Sequence, residues 1–299
     1  MIVRIIGRGS VGTSVASNLL LSGDCAFVVG EERSGRVQEP VLFNGQVLPV
    51  PTVLAQEEKN VDLILVAVKN FQLMDALPVI KPLVGPDTTI LPILNGIDSE
   101  RVLSEAFGEE KVLYGFISGL SAARDGNIVQ SPTKGKITFG EKSNERTERV
   151  EKIAAYFLEN QMNHVVPQDI LHEKWWKFMN NTAFNTLTAT LDAVYGVTGS
   201  NSALVECAEM IMKEVLLVGR AHGVNLREED IASVIKAVKT LGGNGKSSML
   251  EDVSNRRETE NQYFCGSISR LGREYGIATP YTDFMGKLLE ARRYVVNCS

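Results

Sequence analysis

Short apolar runs alternate with polar turns over the first half of the chain, and helical spacing takes over in the second. Ile2–Ile6 is an apolar strand interrupted only by Arg4. The glycine-rich stretch GRGSVG follows at 7–12, then a helical pattern closed by Gly23. Residues 25–29 form a second short strand that ends in Gly30-Glu31-Glu32. Residues 45–51, after a turn at Asn44-Gly45, predict a small β insertion. Residues 61–68 are nearly continuous in apolar side chains, the mark of a parallel strand buried on both faces, and run into Lys69-Asn70. Residues 71–80 predict a helix, and 88–94 a strand that ends at Asn95-Gly96. A strand at 112–118 follows, then an antiparallel edge hairpin of 126–130 with 136–140. A charged amphipathic helix at 144–159 and a last strand at 164–166 complete the half.

Pro167-Gln168-Asp169 breaks this pattern and places a domain boundary at 167, with an α/β domain over 1–167 and a helical domain over 168–299. The second half predicts helices at 170–189, 202–222 and 227–240, a flexible glycine loop at 242–245, one long charged helix at 251–275, and a final helix at 281–295. Within the first of these, Lys177, Asn181 and Asn185 are spaced i, i+4, i+8 and share a face. Such a stripe is either a set of solvated polar residues or a functional surface.

Composition narrows the function classes. The 299 residues are 44% apolar and 22% charged, ordinary globular values. A formal net charge of -5 argues against a broad nucleic-acid footprint. Cys25, Cys207, Cys265 and Cys298 form no CxxC pair and read as reduced thiols of a cytosolic protein. His164, His172 and His222 are scattered, so no metal site is expected. The start MIVRII has no positive leader region, and no apolar run reaches the roughly 20 residues of a membrane span. The expectation is a cytoplasmic protein, monomer or homodimer, acting on a small molecule without nucleic acid or membrane.

The candidate chemistry begins in the first turn. Strand, glycine turn, helix, strand is the context in which GxGxxG binds a dinucleotide. Gly7 permits the tight turn, Gly9 removes a side chain where a pyrophosphate approaches, and Gly12 lets the helix pack on the sheet. The helix start offers unpaired N–H groups to phosphate, so Gly7, Arg8, Gly9, Ser10, Val11 and Gly12 are the expected cofactor cradle. Among Glu251, Asp252, Glu258 and Glu260, periodicity alone selects none.

Four ordered motifs carry a family resemblance. They are the glycine turn, Asn95-Gly96, the run Lys177-x3-Asn181-x3-Asn185-x-Leu187-Thr188-Ala189, and Ser247-Ser248-Met249-Leu250 followed by Arg256-Arg257-Glu258-Thr259-Glu260. With them the chain resembles the ketopantoate reductase (2-dehydropantoate 2-reductase) family over nearly its whole length. The resemblance implies a Rossmann-type N-terminal domain, an all-helical C-terminal domain and an active site in the cleft. It implies NADPH-dependent reduction of ketopantoate to pantoate on the route to pantothenate and coenzyme A. Lys177 matches the catalytic acid and Glu260 the assisting carboxylate. Asn95, Asn181, Asn185 and Ser248 match substrate-contacting or site-organising positions, and Lys69 and Asn95 lie beside the cofactor. Arg8 stands where the family has a small residue, and the loop before Ser248 offers only Asn244 where some members have a substrate-binding asparagine. Glu31 occupies the place of an arginine matched to the NADPH 2′-phosphate, a residue type that binds the ribose hydroxyls of NAD instead. Arg33 and Arg36 lie close enough in sequence to neutralise a phosphate. Two other functions stay open: an NAD-linked enzyme of another small 2-keto or 2-hydroxy acid, and a non-catalytic dinucleotide-binding protein.

Overall fold

The computed structural model describes residues 1–21, 23–241 and 243–298, without the side chains of 297 and 298. Gly242 of the expected loop and the Cys298 side chain therefore lie outside the described residues. The chain forms two compact units: Met1–Asn95 with Ser99–Ile170, and Gly96–Asp98 with Leu171–Ser299.

The first unit is Rossmann-type. Its main sheet is five-stranded and parallel, built from β1 (Ile2–Ile6), β2 (Asp24–Val29), β5 (Thr52–Leu54), β6 (Leu63–Val66) and β7 (Thr89–Pro92) in the order β5-β2-β1-β6-β7. Strand order reverses across β1 and β6, which makes their carboxyl ends the natural ligand crevice of such a sheet. Alternate side chains feed two cores. Val3, Ile5, Phe27, Leu63, Leu65 and Leu91 pack into one. Ile6, Val28, Ile64, Val66 and Ile90 pack into the other. Burial on both faces explains the unbroken apolar run through β6. Arg4, the one charge in β1, is satisfied there by Asp24 and Glu58.

The helix α1 covers only Ser10–Ala16, shorter than the pattern running to Gly23. Ser17 Oγ and Asn18 Nδ2 both donate to the Ser14 carbonyl, satisfying the helix end early. Of the insertion expected at 45–51, β4 (Gln46–Val47) forms, pairing across the Asn44-Gly45 turn with β3 (Leu42–Phe43), which precedes it. Helices α2 (Leu73–Ile80) and α3 (Ser99–Phe107) flank the later strands, and the second was not expected.

The expected hairpin of 126–130 with 136–140 is corrected. β9 (Ala123–Asp125) pairs with β10 (Ile128–Gln130), while β11 (Lys136–Gly140) runs antiparallel to β8 (Tyr114–Ser118) and parallel to β12 (His164–Val165). The tight turn at Gly126 has φ +56° and closes β9 onto β10, so β10 has no edge left for β11. α4 (Glu148–Glu159) covers this sheet with Val150, Ile153 and Phe157.

Among its described residues the second unit is helical. α5 (Ile170–Asn180) passes through a π-turn at Asn181–Asn185 into α6 (Thr186–Leu191). α7 (Tyr195–Ser200), α8 (Ser202–Ala221) and α9 (Glu228–Leu241) follow. The single long helix expected over 251–275 is instead α10 (Ser248–Ser254) and α11 (Asn261–Tyr275). Arg256 takes φ +55° and the Arg257 N–H returns to the Asp252 carbonyl, a helix-ending closure that stops α10. α12 (Pro280–Cys298) ends the fold, and Glu214 caps its start by accepting from Tyr281 N and Thr282 N. No helix among the described residues is long and apolar enough to cross a membrane.

Candidate functional site

Each glycine of the first turn has its own reason. Gly7 has φ +110°, and a Cβ there would lie 2.6 Å from the Ala67 carbonyl oxygen. A Cβ on Gly12 would strike the Gly7 carbonyl, so α1 can lie this close to β1 only without a side chain. Gly9 differs: no heavy atom lies within 4 Å of where its Cβ would be. The fold leaves open space over Gly9, the glycine expected from the sequence to face a pyrophosphate. Ser10 and Val11 open α1, both partly exposed.

Arg8 is buried, and the unit itself holds its guanidinium. Its Nη1 donates to the Arg36 carbonyl at 2.7 Å and to Thr52 Oγ1 at 3.1 Å, while Nη2 meets Glu39 at 2.6 Å. Arg124 donates to the Arg8 carbonyl, and the positive charges of Arg8 and Arg36 act on it in turn. Arg36 is half-buried beside this cluster. The end of β2 carries the opposite sign. Glu31 and Glu32 are both exposed there, and the Glu32 carboxylate folds back against Gly30. Arg33, also exposed, lies 3.9 Å from Glu32.

Lys69 and Asn95 each follow the end of β6 and of β7 by three residues at the carboxyl edge, both half-buried. Asn70 Nδ2 donates to the Asn95 carbonyl at 3.0 Å and ties these two strand ends together.

In the helical unit, Lys177 stands on α5 one turn after the buried Lys174. The Lys177 ammonium is brought down to about 7, first of all by burial. The Lys174 charge acts in the same direction, and the Glu260 charge partly opposes both. Glu260 is buried and immediately precedes α11, placed there by the break that ends α10. A lysine poised near neutrality can both hold and release a proton under ordinary conditions. Asn181 and Asn185 begin and end the π-turn, a distortion frequent at functional sites. Asn185 Nδ2 donates to Asn181 Oδ1 at 3.2 Å, and Tyr195 donates its hydroxyl hydrogen to Asn185 Oδ1 at 2.6 Å. Ser248 is exposed at the first position of α10. The buried serine is Ser247, which caps α10 through Leu250 N.

Lys174, Tyr195 and Ser247 did not emerge individually from the sequence. The i, i+3 spacing of Lys174 to Lys177 was a readable signal for the first. The other two depend on the loop at 243–247 lying against α6 and α7.

Two family models match the chain. "Ketopantoate reductase PanE/ApbA" covers residues 3–144, and its C-terminal counterpart covers residues 169–293. A 2-dehydropantoate 2-reductase of Streptococcus pyogenes serotype M3 is 26% identical over 308 residues, spanning 99% of each chain. A solved D-mandelate dehydrogenase, in a ternary structure with NADH and anilino(oxo)acetate, is 27% identical with a TM-score of 0.88 over 99% of both chains. A solved 2-dehydropantoate 2-reductase of Geobacter metallireducens GS-15 is 25% identical, with a TM-score of 0.85 over 97% of this chain and 99% of the other.

Proposed function

The chain belongs to the ketopantoate reductase family, an NAD(P)H-dependent oxidoreductase family acting on small 2-keto and 2-hydroxy acids, and we propose that it is an NADH-linked member. Its reaction is reduction of a small 2-keto acid to the 2-hydroxy acid. The observation that carries the cofactor choice is the pair of carboxylates, Glu31 and Glu32, at the carboxyl end of β2. A carboxylate there accepts hydrogen bonds from ribose hydroxyls and repels a 2′-phosphate. The open space over Gly9 fits a pyrophosphate, held by the N–H groups at the start of α1. Lys69 and Asn95, at neighbouring strand ends, border the same edge.

The bound dinucleotide supplies a hydride to the keto carbon, and the chain's residues manage the charge this creates. Lys177 gives its proton to the carbonyl oxygen and is reprotonated from solvent after product leaves. Asn181 donates an N–H to the same oxygen. Glu260 keeps Lys177 from losing its proton too readily, as its charge raises the lysine's affinity for it. Ser248 completes the substrate contacts in this assignment, and Asn185 organises the site through its hydrogen bond to Asn181. The choice of 2-keto acid draws support from two sides: the curated relative reduces 2-dehydropantoate by name, and the solved D-mandelate dehydrogenase holds NADH with an oxoacetate. A second reading, NADPH-linked reduction of ketopantoate, draws on the cationic cluster of Arg8, Arg36 and Arg124.

Initial rates with NADH and NADPH, over a panel including ketopantoate, phenylglyoxylate and branched 2-keto acids, test the proposal. NADH should be preferred by about tenfold or more in kcat/KM, equivalent to about 1.4 kcal/mol. Glu31→Arg should narrow or invert that preference. NADPH preference in the unaltered enzyme, or no turnover of any 2-keto acid, overturns it.

A further inference from the structure

We propose that Tyr195 is a positioning residue: its hydroxyl sets the direction of an amide relay that obliges Asn181 to meet the substrate oxygen as an N–H donor. The inference rests on the reading above, in which Lys177 and Asn181 serve a 2-keto acid.

The relay has three members and one polarity. Tyr195 O–H donates to Asn185 Oδ1 at 2.6 Å, and Asn185 Nδ2 donates to Asn181 Oδ1 at 3.2 Å. The oxygen of Asn181 is thereby engaged, and its amide hydrogens are what it offers to an incoming group. An asparagine amide has nearly the same shape when turned over, so nothing intrinsic to Asn185 selects one direction. The tyrosine does. If the Asn185 amide were reversed, the phenol would face N–H groups, and its own hydrogen would lose the acceptor it now has in this part-buried position. Burial also pushes the Tyr195 phenol well above its usual acidity range, so it remains a donor across the pH range of an assay.

The tyrosine is itself fixed. It opens α7, where Tyr195 N donates to the Gly245 carbonyl at 3.0 Å and Gly196 N to the Gly243 carbonyl at 3.2 Å. A Cβ on Gly196 would lie 2.5 Å from the Gly243 oxygen, so this docking of α7 on the loop requires glycine at 196. Asn181 and Asn185 are likewise buried. A donor fixed in this way stabilises negative charge that develops on a ketone oxygen as it is reduced, more than it aids binding of the neutral ketone.

The experiment is a double-mutant cycle of Tyr195→Phe and Asn181→Ala. It is read at saturating NADH with the 2-keto acid that the unaltered enzyme reduces best, and melting temperatures are recorded for each variant. Tyr195→Phe should lower kcat by roughly 10–100-fold with KM and NADH Kd unchanged. In the Asn181→Ala background it should lower kcat no further, because the amide it directs is gone. The alkaline limb of the pH profile should stay in place, since burial keeps the Tyr195 phenol protonated through the assay range and the two amides do not titrate. Should Tyr195→Phe fail to fold, Asn185→Asp gives the same test: it keeps an acceptor for the tyrosine but cannot donate to Asn181, and should lose kcat similarly. Unchanged kcat in the folded variant, or losses that multiply in the double variant, overturns the relay while leaving the functional reading intact. Absence of 2-keto acid turnover in the unaltered protein overturns both.

Discussion

The hydroxyls of Thr188 and Ser247 meet at 2.6 Å in the interior of the helical unit. Thr188 sends its hydrogen to the Asn185 carbonyl at 2.9 Å, so Ser247 is the donor between the two. The same serine oxygen accepts from Leu250 N at 3.0 Å and caps α10. One side chain thus ties the helix that ends the asparagine pair to the start of α10. Ser247→Ala removes both links and is expected to cost about 1–3 kcal/mol of stability, read by chemical denaturation. Ser248→Ala touches neither link and should leave the denaturation midpoint in place while raising the KM for the 2-keto acid. Equal stability losses in the two variants would contradict this division.

The glycine turn separates folding from binding. Gly7→Ala meets the Ala67 carbonyl and a φ of +110°, so it should destabilise the fold by about 1–3 kcal/mol or more. Gly9→Ala meets no protein atom within 4 Å and should melt like the unaltered chain. Its effect should fall on the dinucleotide: NADH Kd, followed by fluorescence titration, should rise by about tenfold or more, near 1.4 kcal/mol. Native NADH affinity in Gly9→Ala would remove the cradle from the account.

With Lys177 as the proposed acid, the reduction has a pH profile with a definite sign. The acid form is the productive one, so kcat/KM should be level at low pH and fall as pH rises through about 7, where burial and Lys174 have brought the ammonium. Oxidation of the 2-hydroxy acid should show the opposite slope. Glu260→Gln removes the charge that raises the Lys177 value, so the falling limb should move to lower pH. Lys174→Met removes the like charge and should move it to higher pH. A limb unmoved by both substitutions would separate this lysine from the proton transfer.

Much of the scaffold was legible because its signals are local. β1, the glycine turn and β2 follow one another within thirty residues. β6 announces itself by an unbroken apolar run, since both of its faces are buried. The misreadings share a different cause. Whether β10 or β8 pairs with β11 depends on which edges remain free, and no run of residues states that. The break between α10 and α11 rests on Arg256 adopting a left-handed conformation, unannounced by any glycine. That break matters for function, since it places Glu260 at the head of α11. Lys177, Asn181 and Asn185 stand out by spacing, but the π-turn within that spacing and the reach of Tyr195 across ten residues do not. The Arg8 ion pair with Glu39 was equally hidden, because it links residues 31 positions apart through side chains alone.

In the proposed reaction Lys177 supplies the proton to a 2-keto acid reduced with NADH. The most direct test of this role is single-turnover and steady-state reduction by Lys177→Ala, with NADH Kd measured on the same preparation. An unchanged Kd and a fall in kcat of roughly 10²–10⁴-fold are expected. A variant that binds NADH normally and still reduces the 2-keto acid at the native rate would contradict it.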